Sequence, residues 1–298
     1  MSRSRTASEM AAAAESGPRS PWAVALARLW RNGAALAGLG VLLAMGLLAV
    51  LAPWVAPYDP LAMDLPNQLQ PPGASHWLGT DLLGRDILSR LLYGGRATLV
   101  TALVAVSISV VFGVLLGLVA GFYGGIVDSC LMRFVDMLLA FPRILLALTV
   151  VALLGVGLGN VMLAVGIAGI SGYARIVRGV VLSAREQPYV EAARLVGCGN
   201  RRIVFRHVLP NVLAPVIVLA TLDIAHALLS ASSLSFLGLG AQPPMPEWGL
   251  MLNEGRAYLR VAPWVTTVPG LTIMLAVLSV NVFGDGLRDA LDPRLQVG

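Results

Sequence analysis

Ser171, Asp223 and His226 carry the most chemical potential in this chain, because each is a polar or ionisable group inside a long apolar run. A serine hydroxyl with a histidine base from the next run could form a nucleophilic pair. Asp223 and His226 stand three apart, hence on one helix face, where they could line a pathway or pair with each other. One histidine and one aspartate fall short of a metal site, and Cys130 and Cys198 lack the paired spacing of a zinc site or a disulfide framework. All 21 basic residues are arginine. Without a lysine there is no GxxxxGK[ST] phosphate loop, so any ATP that matters here is bound by another chain.

The elements that hold these groups are set by composition. The chain is 57% hydrophobic and 12% charged, against about 25% charged in soluble domains, which places it in a bilayer. Crossing the hydrocarbon core takes roughly 20 apolar residues in a helix, and six runs are long enough: 34–56, 98–120, 137–154, 160–181, 212–234 and 264–284. Residues 144 to 174 could be one over-long helix, but Gly155, Gly157, Gly159 and Asn160 in its middle favour a hairpin of two short spans.

The first run is too long for a signal-peptide core and reads as an anchor. Ahead of it, the first twenty residues read as a disordered tail, and Trp22, Leu26, Leu29 and Trp30 with Arg28 and Arg31 suit an interfacial helix. With the N-terminus inside, 16 of the 21 arginines fall on inner segments, whereas the outer loops hold five arginines beside six acidic residues. The positive-inside rule then puts both termini in the cytoplasm. The net charge of +5 is explained by this sidedness, and no nucleic-acid partner is expected.

One inner segment is longer and more ordered than a return loop needs to be. In EAARLVGCGNRRIVFRHVLPN, residues 191–211, Glu191, Ala192 and Ala193 start a short helix with an acid in its first turn, and Gly197 and Gly199 break it after about two turns. A second piece, 201–207, runs up to Pro210, which is expected to bar further helix before the next span.

The order Glu-Ala-Ala, three residues, Gly197, nine residues and then His-Val-Leu209-Pro210 resembles the EAA loop of ABC importer permeases, and the HxLPN ending resembles their dipeptide, oligopeptide and nickel branch. His207 stands where that loop usually has an aliphatic residue. The resemblance implies an all-α integral membrane protein with six transmembrane helices and the type I ABC importer permease fold. Glu191, Ala192, Ala193, Gly197, Leu209 and Pro210 would then form a joint that passes the motion of an ATPase to the spans. The implied partners are a second homologous permease subunit, two cytoplasmic ATPase subunits that bind ATP and Mg, an extracytoplasmic solute-binding protein, and membrane lipid; the implied cargo is a peptide or related solute. The implied organisation is a cytoplasmic tail with its interfacial helix over 1–32, a first span and outer segment over 33–95, a five-span core over 96–290 with the loop at 183–211, and a C-terminal tail over 291–298.

Three further stretches agree in order and sidedness. HWLGTDLLGRDILSRLLYGGRATL, residues 76–99, resembles the outer segment of the same branch; Thr80 or Asp81 could cap its helix, with Asp81–Arg85 and Asp86–Arg90 as pairs four apart. SFLGLGAQPPMPEWGLML, residues 235–252, is stiffened by Pro243, Pro244 and Pro246, with Trp248 expected at the headgroup level and a solute-binding protein as its possible occupant. In FVDMLLAFPRILLAL, residues 134–148, Pro142 permits a bend beside Asp136 and Arg143, whose charges could reach water or each other.

The rival reading is an enzyme. Gly169-Ile170-Ser171-Gly172 matches the GxSG of intramembrane serine proteases, with Ser171 as nucleophile and His226 as base. FGDG, residues 283–286, is a weaker match to an aspartyl counterpart. A gradient-driven transporter would favour an inverted repeat, and none is evident.

Overall fold

A computed structural model describes residues 26–291, and every extended element among them is a helix. The tail expected over the first twenty residues and Trp22 of the interfacial helix lie outside the described residues, as does the chain after Leu291. The helices of eight residues or more are α1 (Gly33–Val50), α2 (Ile87–Tyr123), α3 (Gly125–Leu139), α4 (Arg143–Leu154), α5 (Leu158–Arg185), α6 (Pro188–Leu195), α7 (Asn200–Phe236), α8 (Trp248–Gly255) and α9 (Trp264–Leu291). Within α7, residues Val204–Val208 form a π turn.

Among the described residues α1, α2, α5, α7 and α9 are long and apolar enough to cross a membrane, and α3 with α4, bent by 93° at the break between them, pass the same test only as a pair, which brings the number to six if the pair is one span. The third span is thus not the single run 137–154. Pro142 has no N–H and disfavours helix in the residue before it, so the helix ends at Leu139 and restarts at Arg143. At 1.5 Å per residue the twelve residues of α4 reach only about 18 Å, short of the ~30 Å core. The hairpin after it forms as the glycines predict: Gly155 and Gly157 take positive φ, and the Asn160 amide donates to the Leu154 and Gly155 carbonyls.

The most extensive helix pairing is between α2 and α5. Gly113, Gly117 and Gly121 recur every fourth residue on α2, and a Cβ at Gly117 would lie 2.6 Å from the Ala174 carbonyl oxygen. In lipid, where apolar side chains gain nothing by leaving the solvent, such close backbone approach is what holds helices together. On the far side α9 packs between α1 and α7.

The outer segment closes over one end of the bundle. The helix cap is Asp86, whose carboxylate accepts from Ser89 N–H at 2.8 Å; neither Thr80 nor Asp81 fills that position. The Asp81–Arg85 pair forms at 2.6 Å, but the Asp86–Arg90 pair does not. Arg90 reaches Asp81 and, at 2.9 Å, Glu254 of α8, while Asp86 takes His76 at 2.9 Å. Trp248 is buried, with its indole N–H on the Leu91 carbonyl at 2.9 Å, instead of sitting at the headgroup level. Glu247 caps α8 by accepting from Gly249 and Leu250 N–H, and burial raises its carboxyl above the usual carboxylate range.

Candidate functional site

The loop between α5 and α7 is built around one turn. Pro188 opens α6 at a position where its missing N–H costs nothing. Two turns later Gly197 takes φ +81°, its N–H donates to Arg194 O at 2.9 Å, and Cys198 N–H donates to Ala193 O at 3.0 Å. Those two bonds are a Schellman cap. The cap gives the Ala193-to-Gly197 spacing its physical reason: the alanine carbonyl closes the helix, and the glycine takes the left-handed conformation that a side chain would strain.

Beyond the turn the chain departs from expectation. Pro210 does not stop the helix. The ring would clash with the carbonyl four residues back, and the preceding turn widens to admit it: Leu209 N–H bonds Val204 O, five residues away, and helix runs on to Phe236. Asn211 fastens the result. Its amide donates to His207 O at 2.8 Å and to the Tyr189 hydroxyl at 3.0 Å, joining α7 to α6.

The joint has two unlike faces. Val190 and Ala193 are buried with Ile203 and Val208 in a cluster that also takes Phe122 from α2, Val181 from α5 and Val212 from α7. Away from the bundle Glu191 and Ala192 are exposed, and Leu195 and Val196 are 84% and 79% exposed. Leu209 is half-buried and Pro210 exposed. α6 is thus locked to three spans on one face and bare on the other.

A second constellation lies within the spans. Asp223 is buried on α7 and accepts two hydrogen bonds from Arg143 of α4, at 2.6 and 3.0 Å, and one from the Tyr173 hydroxyl of α5 at 3.3 Å. Asp223 therefore does not pair with His226, which is exposed on α7, and Arg143 does not pair with Asp136, which takes Arg175. Sequence reasoning named Asp223 and Arg143 but missed that they meet, and it missed Tyr173. The available signal was the rarity of ionised groups in apolar runs, which allows only a few neutral pairings.

Ser171 is buried on α5, His226 is exposed, and no hydrogen bond joins them among the described residues. The nucleophile–base pair of the protease reading is not formed.

This succession of helices, with a short capped helix between α5 and α7, has the fold of a type I ABC importer permease. The fold is similar to that of a chain of the MetNI methionine ABC transporter in inward-facing conformations, with a TM-score of 0.53 at 20% identity over 68% of this chain and 96% of that one. Residues 113–297 match the model of the binding-protein-dependent transport system inner membrane component, and residues 20–72 match the N-terminal transmembrane domain of oligopeptide transport permease C. This chain belongs to the binding-protein-dependent transport system inner membrane component family. It is 47% identical to the dipeptide transport system permease protein DppC of Alkalihalophilus pseudofirmus, over 93% of this chain and 91% of that one. It is also 46% identical to the di/tripeptide transport system permease protein DppC of Pseudomonas aeruginosa, over 89% of each chain, and to the glutathione transport system permease protein GsiD of Escherichia coli, over 93% and 92%. It is thus a multi-pass inner-membrane permease of a bacterial ABC importer, a transport component and not an enzyme.

Proposed function

We propose that this chain forms half of the translocation pathway of an ATP-driven importer of di- and oligopeptides, with α6 as the joint to a cytoplasmic ATPase. The observation that carries the reading is the division of α6 into a face packed on α2, α5 and α7 and a bare face of Glu191, Ala192, Leu195 and Val196. The identity to dipeptide, di/tripeptide and glutathione permeases along almost the whole chain supports peptide cargo.

In this reading both termini and α6 are cytoplasmic, the second permease is a homologous but different chain, and two ATPase subunits hold ATP and Mg. A solute-binding protein delivers cargo at the outer lip formed by 76–99 and 235–252. The core is the five-span unit 96–290, with the tail 1–32, the first span and outer segment 33–95 and the end 291–298 outside it. Closure of the ATPases pulls α6, and the shared cluster moves the inner ends of α2, α5 and α7 with it. ATP and the loaded binding protein bias the same two-state element from opposite faces.

Co-purification and transport test this. The chain is expressed with its neighbouring transport genes, reconstituted in proteoliposomes and given a labelled dipeptide with its binding protein. ATP-dependent accumulation that disappears without this chain is the expected result; purification free of ATPase subunits and uptake indifferent to ATP would refute the reading.

A further inference from the structure

The bend between α3 and α4 opens a cavity of about 280 Å³. Its walls are mostly apolar or bare backbone, from Leu138, Phe141, Ala168 and Gly172, and two polar groups stand among them, the Arg143 guanidinium and Ser171. A small, largely apolar cavity with a few convergent polar groups is the usual form of a ligand site.

The charge pair is lopsided in a useful way. Arg143 has 37% of its side chain exposed and Asp223 only 6%, so the pair turns its cationic end outward and keeps the counter-ion behind it. Asp223 occupies two of the five guanidinium N–H donors and Nε is buried, so the donors left for a ligand are the remaining N–H groups of Nη1 and Nη2. The Ser171 hydroxyl makes no hydrogen bond to another described residue. Gly169 supports the arrangement, since a Cβ there would lie 2.6 Å from Arg143 Nη2 and closer still to Ser109 Oγ, so the glycine leaves room for the guanidinium against α5 two residues from Ser171. Free donors from an arginine and a serine, in a largely apolar cavity, fit a carboxylate.

We propose that this cavity is a cargo subsite within the membrane, where the carboxylate of a passing peptide rests on Arg143 and Ser171 while Asp223, held by Tyr173, keeps the guanidinium in place. The inference rests on the peptide-importer reading above. Asp223 and Tyr173 are positioning residues here, and Ser171 is a hydrogen-bond donor that breaks no bond.

Gly172 supplies the test, because it lines the cavity and a Cβ on it would meet nothing within 4 Å, so Gly172→Leu fills the space without distorting α5. The complete reconstituted importer is given a dipeptide with a diazirine side chain, irradiated during turnover, and the adducts are mapped by mass spectrometry. Expected are adducts within residues 138–143 or 168–172 that fall at least tenfold in Gly172→Leu. Ser171→Ala should lower them severalfold. The double variant Arg143→Gln/Asp223→Asn keeps the site neutral and should lower them about tenfold. ATP-driven uptake without adducts at these residues, or adducts unchanged in the double variant, would overturn the subsite and leave the importer reading standing. Loss of ATP-driven uptake in the unmodified complex would remove both.

Discussion

Arg143 at the start of α4 and Asp223 in the middle of α7, eighty residues apart, are joined by two parallel hydrogen bonds of 2.6 and 3.0 Å. The contact fixes the bent α3–α4 pair to α7, and Tyr173 adds α5 to the same carboxylate. Truncating one partner should cost more than the pair contributes, because it strands the other charge. For Arg143→Ala, which leaves Asp223 buried and unpaired, the loss of folded-state stability should approach ~3 kcal/mol, toward the low end because the guanidinium is partly solvated. Thermal unfolding in detergent checks this, and Arg143→Gln combined with Asp223→Asn should recover at least half.

Gly197 gives a conformational prediction free of packing. Nothing lies within 4 Å of the place a Cβ would take, yet the residue sits at φ +81°. Gly197→Asn should therefore be tolerated, whereas Gly197→Val should cost about 1–2 kcal/mol locally and loosen the cap that closes α6. Transport by the reconstituted complex should follow that order, Gly over Asn over Val, with membrane insertion unchanged throughout.

The tight approach of α2 to α5 predicts the opposite kind of sensitivity. A Cβ at Gly117 would sit 2.6 Å from Ala174 O, a backbone atom that cannot turn aside. Gly117→Ala should cost roughly 1–3 kcal/mol by overpacking, and Gly117→Leu should prevent assembly, read as loss of the monodisperse peak on size-exclusion chromatography.

Glu247 should give acid-side stability a recognisable slope. Burial raises its carboxyl in the folded protein, so the folded state binds the proton more tightly than the unfolded chain does. Its contribution is complete below the unfolded value of about 4.3 and is lost as pH rises through the raised folded value. Thermal unfolding measured upward from about pH 4 should show this decline, and Glu247→Gln should flatten it.

Most of the crossings were legible because an apolar run of some twenty residues has few other places to go, and the hairpin at Gly155–Gly157 followed from glycines where positive φ was needed. The short helix and its closing turn were equally plain, being local, although the helix opens at Pro188, three residues before Glu191. What stayed hidden was decided by tertiary contact. Arg90 could have taken Asp86 four residues back, but the outer segment folds over so that Asp81 and Glu254 reach it first. Trp248 looked like an interface anchor until α2 offered the Leu91 carbonyl. Pro210 read as a helix stop because a π turn leaves no mark in composition. The meeting of Arg143 with Asp223 has no local signature at all.

The central claim is that α6 docks on an ATPase from the cytoplasmic side, and cross-linking tests it most directly. With Cys130 and Cys198 replaced by serine, Leu195→Cys is placed on the exposed tip of α6 and treated with a short thiol cross-linker in the complete complex, each ATPase subunit carrying single cysteines across its permease-facing surface. The account predicts a covalent product with an ATPase subunit whose yield changes when ATP is added. A Leu195→Cys that is labelled only from outside intact cells, and never joins an ATPase subunit, would contradict it.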